Sequence, residues 1–242
     1  AARVSAGHLV CAPFVTLSPT YQAMSRLLQS GRIGRVLTAR AIYGWSGPDW
    51  GPWFYQGLGG GPVFDLGVYN LTTLTGLIGP VRRVAAMSGI SVPERLVGGA
   101  VIVPEVDDNF QIVLDFGDAV FGSLTTGFTI QQLRTPAIEL YGSRGTVQML
   151  GADWQPAGYE VWENDIGAWT LMAETAPAWP YADGLRHLVM SIRNGVAPSL
   201  RPDHALHVLE VMLLALEAGR DGRTRDLTTT FAPSETAQVA SP

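Results

Sequence analysis

Asp65 and Tyr69 are the two residues whose types and spacing most directly suggest chemistry. They follow three consecutive glycines, residues 59–61, in an otherwise apolar segment. Residues four apart on an α-helix share one face, so the carboxyl and the phenol would lie side by side. A phenol of pKa about 10 is a poor base but an adequate acid. The pattern predicts a proton-transfer site. The alternatives are a core tyrosine and an acid placed by the helix dipole.

The loop before the glycines is the second candidate for ligand contact. Trp50, Trp53 and Tyr55 supply flat rings that can stack on a sugar, and Asp49 can accept hydrogen bonds from hydroxyl groups. The same rings could instead pack against each other as a lid or an interface. Both interpretations stay open from the residues alone.

Asn70 and His187 complete the predicted substrate-contacting set. Asn70 directly follows the candidate phenol, and His187 lies four residues after Asp183 on a predicted helix. That spacing also fits an ordinary pair on a helix surface.

No metal site is predicted. His204, His207 and Glu210 recur every three residues on a predicted helix, but no further ligand is apparent, and we expect an outer polar face. Cys11 is the single cysteine, so no intrachain disulfide can form, and we expect it to be a buried small side chain. All 16 basic residues are arginine, so no lysine of this chain can act as a base.

Composition narrows the class of protein. The chain has 242 residues, 47% hydrophobic, with a net charge of −5. A negative balance gives no indication of nucleic-acid or anionic-membrane partners, and no apolar run approaches the roughly 18 residues of a membrane span. We therefore expect a cytoplasmic protein.

The local signals predict strands framed by helices. Ser18-Pro19 is typical of a helix start, and the second of two hairpins should turn at residues 143–145. The other predicted elements are a strand at 8–12, a strand at 35–45, a helix at 63–78, a strand at 81–91, a first hairpin turning at Gly117-Asp118, short strands at 159–162 and 168–172, and helices at 183–194 and 203–219, the last ending at Gly219.

This order predicts an α+β fold: a large, mostly antiparallel, open-faced sheet with helices on one face. The strands carry more apolar residues than one helical layer would cover, so a homodimer or tetramer through the open sheet face is expected. The residues counted for this surplus are Val113, Phe121, Leu124, Ile138, Leu140, Val147 and Met149.

The segment 59–70, GGGPVFDLGVYN, resembles the GG-x-L-x-D-x-G-x-H/Y signature of the glucose–fructose oxidoreductase/inositol dehydrogenase (Gfo/Idh/MocA) family. Three further segments are similar to the family in the same order: LLQSGRIGRVLTARA, AIELYGSRGTVQML, and the helix pair that begins DGLRHLVMSIRNG. The resemblance extends over nearly the whole chain.

The resemblance implies the C-terminal domain of an NAD- or NADP-dependent oxidoreductase acting on a sugar or polyol. Tyr69 would be the proton donor, Asp65 the substrate anchor. We expect the family's N-terminal Rossmann domain and its catalytic lysine to be missing, since no G-x-G-x-x-G follows a strand and the sequence contains no lysine. The chain would then be either a fragment of a longer enzyme or a naturally shortened one. Residues 1–18 would be the remnant of that domain, a strand and a helix. Residues 19–230 would be the substrate-binding and oligomerisation domain, and residues 231–242 a flexible tail. The chain alone is expected to bind no cofactor and to be inactive. The alternative is a non-enzymatic sugar-binding or assembly module.

Overall fold

The computed structural model describes residues 5, 7–57, 59–172, 179–180 and 182–232. Within them the α-helices are α1 (Pro19–Gln29), α2 (Val68–Ile78), α3 (Asp183–Asn194) and α4 (Pro202–Asp221). The strands are β1 (Val36–Gly44), β2 (Arg83–Gly89), β3 (Arg95–Val97), β4 (Ala100–Ile102), β5 (Asn109–Gly117), β6 (Val120–Gly127), β7 (Ile138–Gly142), β8 (Gly145–Ala152), β9 (Gln155–Glu163), β10 (Ala168–Met172) and β11 (Arg225–Asp226). No described helix is both long and apolar enough to cross a bilayer.

Nine strands form one sheet in the order β10-β9-β8-β7-β1-β6-β5-β2-β11. Every neighbouring pair is antiparallel except β1 and β6, which run parallel at its centre. Strands β3 and β4 form a separate two-stranded ribbon. The predicted α+β class with a large, mostly antiparallel sheet is confirmed. The parallel pair and the ribbon were not predicted.

One face of the sheet is packed against α1, α2 and α4, and this is where the main core lies. Strand β5 shows the alternation that separates the two faces: Ile112 and Leu114 are buried, whereas Gln111 and Val113 are exposed. Period-two alternation of this kind is the mark of a sheet covered on one side.

The open face is less apolar than the sequence suggested. Of the seven residues counted as surplus, five face the helices and are buried, and only Val113 (51% exposed) and Phe121 (48%) face outward. The centre of the open face carries the Arg40–Glu139 ion pair. The earlier count was wrong because strand composition does not reveal which of the two faces a residue occupies.

Several local predictions are confirmed and two need correction. The Ser18 hydroxyl caps α1 by accepting the backbone N–H of Tyr21 at 3.1 Å. The first hairpin turns at Asp118-Ala119, which have φ of 53° and 59°, and not at Gly117-Asp118. Positive φ at both central residues is the geometry of a type I′ turn. Helix α4 ends at Asp221, with Gly222 as its C-cap, and not at Gly219, which lies inside the helix and packs against Ser88.

The two ends of the described chain also differ from expectation. Residues 8–12 form no strand, and Cys11 is only half-buried, lining a cavity beside α4 with Leu9. Near the other end, Phe231 is 6% exposed and packs on the rings of His204 and His207. The predicted frayed tail therefore does not begin at residue 231. Residues 233–242 lie outside the described part.

Candidate active site

The helix that carries Asp65 and Tyr69, called the motif helix below, begins with a π-helical turn. Residues Val63–Gly67 form this turn, and α2 continues from Val68. Asp65 lies inside the turn and Tyr69 just after it, and both are half-buried. Single π-turns inside helices are frequent at functional sites because they change the direction of side chains locally. The sequence predicted a continuous α-helix here and missed the turn.

The three glycines are explained by the loop that precedes them. A Cβ atom at Gly60 would lie 2.7 Å from the Gln56 carbonyl oxygen and 3.0 Å from that of Phe54. Gly61 has φ of 92°, and its N–H donates to the Phe54 carbonyl at 2.7 Å. The glycines therefore let the chain pass against the short 3₁₀ turn Pro52–Tyr55.

Tyr69 lines a cavity of about 230 Å³. Three further aromatic side chains, Phe14, Trp154 and Trp179, form its walls, and the remaining lining comes from Ala12, Pro13, Val15 and Ala182. An apolar cavity of about 150 Å³ is large enough for benzene. The indole N–H of Trp179 is buried and has no hydrogen-bond partner among the described residues. The site can accept a small, flat or cyclic molecule against the phenol.

Tyr43, on β1, is a second phenol in this region. Its ring meets that of Tyr69 edge-on, with centroids 6.0 Å apart and planes at 75°. The Trp154 side chain hydrogen-bonds to its hydroxyl. Burial raises the pKa of Tyr43, and the neighbouring Tyr69, Asp65 and Asp153 raise it further. Nothing in the sequence singled out Tyr43, because aromatic residues are common in β-strands.

Asp153 is the other residue that the sequence did not indicate. It lies between β8 and β9, is fully buried, and accepts hydrogen bonds from Asn70 Nδ2 (3.0 Å) and Thr73 Oγ1 (2.7 Å) on α2. Burial raises the pKa of Asp153 to about 6, although these two hydrogen bonds lower it. Burial also raises the pKa of Asp65. Both carboxyl groups thus lie in surroundings that disfavour their charged forms.

The aromatic loop forms a cluster of its own. Trp53 stacks on Phe54 with centroids 3.6 Å apart, and Trp50 lies 5.5 Å from Trp45. Trp50 and Trp53 are 62% and 61% exposed, so their faces are open to contact. Tyr55 is buried, and its hydroxyl donates to the Pro48 carbonyl at 2.8 Å.

Among the described residues, none of the predicted loop contacts lines the cavity beside Tyr69. Asp49 is exposed, and its backbone carbonyl accepts the N–H of Gly98 at the tip of the ribbon. Asp65 and Tyr69 both raise the pKa of Tyr43, but among the described residues Asp65 does not line the Tyr69 cavity. Trp50, Trp53 and Asp49 lie on a neighbouring surface. Tyr55 belongs to the same loop but is buried.

Asn70 and His187 occupy different positions from those expected. Asn70 is fully buried and directed at Asp153. The His187 Nε2 atom accepts the backbone N–H of Ser199 at 3.0 Å. Its ring lines a separate cavity with Tyr21 and His204. Within the described residues, neither side chain lines the Tyr69 cavity.

The expectation of an outer polar face at His204, His207 and Glu210 was wrong. His207 is fully buried, and its Nε2 accepts the N–H of Val81 at 2.9 Å. Burial lowers the pKa of His204 to about 4. Glu210 accepts four hydrogen bonds from Thr228 and Thr229. These side chains attach the C-terminal segment to α4.

The fold is one found in oxidoreductases. The aldose–aldose oxidoreductase of Caulobacter crescentus, solved with glycerol, superposes with a TM-score of 0.76 at 21% identity, covering 91% of this chain and 64% of that one. Levoglucosan dehydrogenase, solved with NADH and levoglucosan, gives 0.72 at 19% identity, covering 89% and 65%.

The family follows from the sequence comparison. The model of the GFO/IDH/MocA C-terminal domain matches residues 21–148, more than half of the chain, and the chain belongs to this family. Human trans-1,2-dihydrobenzene-1,2-diol dehydrogenase is 28% identical over 156 residues, which is 64% of this chain and 43% of that enzyme. The rabbit (Oryctolagus cuniculus) enzyme is 24% identical over 206 residues, covering 81% and 57%. The chain therefore spans roughly half the length of these relatives.

Proposed function

We propose that this chain is the substrate-binding part of an NAD(P)-dependent oxidoreductase that acts at the CH–OH carbon of a small sugar, polyol or cyclic diol. The observation that carries the proposal is the placement of Tyr69 in an aromatic cavity, next to Tyr43, whose pKa both Tyr69 and the Asp65 carboxyl raise. The relatives named above, which act on a dihydrodiol or were solved with glycerol or levoglucosan, support the substrate class.

The described residues fit the substrate side of such a reaction and not the cofactor side. A dinucleotide needs a glycine-rich turn between a parallel strand and a helix N-terminus. The parallel strand β1 is followed instead by the aromatic loop, and Gly60 of the glycine triplet packs against the carbonyl groups of that loop. We therefore assign no residue of the described part to holding NAD(P), and the chain alone is expected not to bind it.

Tyr69 would exchange the hydroxyl proton of the substrate, because its phenol is the acidic group on the cavity wall. The half-buried Asp65 carboxyl would hold a substrate hydroxyl or orient the phenol. Trp154 and Trp179 would stack on the ring and keep water out. The indole N–H of Trp179, which has no partner among the described residues, offers a donor for a substrate oxygen. The nicotinamide, when present, accepts or supplies the hydride.

The proposal includes assembly and location. The exposed Val113 and Phe121, with Trp169 and Leu171 near the β10 edge, would bury against a second copy in a homodimer or tetramer. A cytoplasmic location stays a prediction. The second candidate, a binding or assembly module without activity, is favoured for the isolated chain by the lack of both a lysine and a dinucleotide turn in its sequence.

The test is turnover of the native protein, meaning the full-length protein that carries this domain, with NAD(P)+ and a panel of cyclic diols, aldoses and polyols. Tyr69→Phe should lower turnover by about 10²–10⁴-fold and stability by less than about 1.5 kcal/mol. Asp65→Asn should raise KM more than it lowers kcat, because a bond to a substrate hydroxyl exists in both ground and transition states.

Tyr141→Phe is the matched control, since this half-buried phenol lies on β7 away from the Tyr69 cavity. It should keep turnover. Full turnover in Tyr69→Phe with a sharply lower melting temperature would make Tyr69 a packing residue and reject the site. No turnover in the wild-type protein, with binding of the same diols retained, would favour the binding module.

A further inference from the structure

Among the described residues, Asp153 is a buried carboxyl group without a compensating cation. It is 0% exposed, and within the part of the chain that the structure describes no arginine pairs with it. Burying an unpaired carboxyl is costly. Its only hydrogen-bond partners among the described residues are Asn70 and Thr73, both on α2. A hydrophobic residue in this turn would avoid that cost. The reason for the carboxyl group should therefore lie in the residues to which it hydrogen-bonds.

What it holds is the beginning of the motif helix. Asn70 is the residue directly after Tyr69, and Thr73 lies one helical turn beyond Tyr69. The two oxygens of Asp153 are used separately: Oδ2 accepts from Asn70 Nδ2 at 3.0 Å and Oδ1 from Thr73 Oγ1 at 2.7 Å. Two bonds to successive turns fix both the rotation of α2 about its axis and its position along that axis. The direction of the Tyr69 side chain follows from both.

The residue that follows Asp153, Trp154, forms another wall of the cavity that Tyr69 lines. Trp154 follows Asp153 directly, lines the cavity with Tyr69, and hydrogen-bonds to Tyr43. Tyr43 in turn meets the Tyr69 ring edge-on. The turn between β8 and β9 therefore connects the helix that carries the phenol to the indole that faces it.

We propose that Asp153 is a positioning residue of this site, which sets the direction of Tyr69 through Asn70 and Thr73 and the distance between Tyr69 and Trp154 through the β8–β9 turn. The inference rests on the proposed function of Tyr69. It assigns no contact between Asp153 and the substrate, because the carboxyl is fully buried.

The first variant removes the carboxyl. Asp153→Ala leaves the Asn70 amide and the Thr73 hydroxyl without their partner, and the first turns of α2 are released. Small displacements of a reacting group cost large factors in rate. Turnover of the native protein should therefore fall about 10- to 100-fold, with a smaller change in KM.

The second variant should restore function. In Asp153→Asn the new amide oxygen can accept from Thr73. Once the Asn70 side-chain amide turns by 180°, the new NH₂ can donate to Asn70 Oδ1, which has no partner among the described residues of the wild type. We expect turnover within about threefold of wild type, because both hydrogen bonds are re-formed without the charge.

A double-mutant cycle separates positioning from general destabilisation. If Asp153 acts through Tyr69, Asp153→Ala should change turnover little once Tyr69→Phe is present, since coupled residues are non-additive. Thr75→Val is the matched control. It lies on the same helix, is equally buried, and its hydroxyl contacts Leu71 and His204 and not Asp153. It should lower stability and keep turnover.

A readout independent of activity completes the test. Amide hydrogen exchange of residues 69–74 should accelerate about tenfold or more in Asp153→Ala relative to Thr75→Val. Equal exchange in the two variants, or an undiminished loss of turnover in the Tyr69→Phe background, overturns the proposal. If the wild-type protein has no dehydrogenase activity, this counts against the proposed function. The hydrogen-exchange comparison then tests by itself whether Asp153 positions α2.

Discussion

Asp65 and Asp153 lie within one small region and differ in what surrounds them. Asp65 is half-buried in the π-turn, and burial raises its pKa. Asp153 is fully buried between β8 and β9, and burial raises its pKa to about 6 despite two hydrogen bonds. A group whose pKa is raised in the folded state is protonated there more readily than in the unfolded chain. The stability of the domain must therefore depend on pH through these groups.

For Asp153 the direction of that dependence can be stated. Its ordinary pKa is 3.8 and its folded value about 6, so its favourable contribution is present below about pH 4 and is lost as the pH rises to about 6. The asparagine of Asp153→Asn has no carboxyl group to ionise, so the variant does not lose this stability as the pH rises. The difference in unfolding free energy between variant and wild type should grow by about 3 kcal/mol across this range and then stay level.

Urea denaturation of both proteins between pH 4 and pH 7.5 measures this difference. The neighbouring titratable groups, Asp65, Tyr43 and Tyr69, are present in both proteins, so their direct contributions largely cancel. Parallel stability curves would show that Asp153 ionises in the folded state as easily as in the unfolded one.

At the scale of elements, the ribbon of β3 and β4 anchors the aromatic loop. Arg95 on β3 forms a 2.8 Å ion pair with Asp108, and its side chain is only 8% exposed. The same guanidinium donates to the carbonyls of Ser46 and Phe128 and lies 5.0 Å from the centre of the Tyr55 ring. One side chain thus joins the ribbon, the loop and the end of β6.

Arg95→Ala should therefore lower the free energy of unfolding by about 3–5 kcal/mol, because it leaves Asp108 charged and buried without its partner. Arg83→Ala is the control, since the Arg83–Asp115 pair has the same 2.8 Å distance but an arginine that is 53% exposed. An exposed pair contributes about 1 kcal/mol or less. Thermal and denaturant unfolding of the two variants gives the comparison, and equal losses would contradict the anchoring role.

At the scale of the whole molecule, the two faces of the sheet have different surroundings. Helices cover one face, and the other carries the Arg40–Glu139 pair in its centre with exposed apolar residues on either side, among them Phe121, Val113 and Trp169. A paired charge surrounded by apolar residues is compatible with an interface between copies, and the apolar area is smaller than the sequence suggested.

Light scattering should show at least a dimer, and replacing Val113 and Phe121 together by glutamate should shift the mass towards the monomer. In a two-fold interface each substitution occurs twice, so the introduced charges are desolvated and repel. Leu185→Glu on α3 is the control and should keep the assembly; Leu185 is also an exposed apolar residue, at 68%. A wild-type monomer would reject the assembly proposed here.

The sequence by itself determined the features that depend on neighbours along the chain. The start of α1 is set by the Ser18 hydroxyl and Pro19, and the second hairpin closes through two residues, Ser143 and Arg144. The Asp65–Tyr69 pair could be selected because its spacing is local. Capping, turn geometry and helical spacing act over a few residues and can therefore be recognised in a single sequence.

The tertiary structure alone decided the features that depend on distant residues. The parallel pairing of β1 with β6, the fixing of α2 by Asp153, and the choice of sheet face for Leu124 and Val113 all join residues far apart in the chain. None of them has a local signal: an aspartate before a tryptophan looks like an ordinary turn, and alternation reveals two faces but not which one is covered. Burial creates both the raised pKa of Asp153 and its role, and burial is a property of the assembled fold.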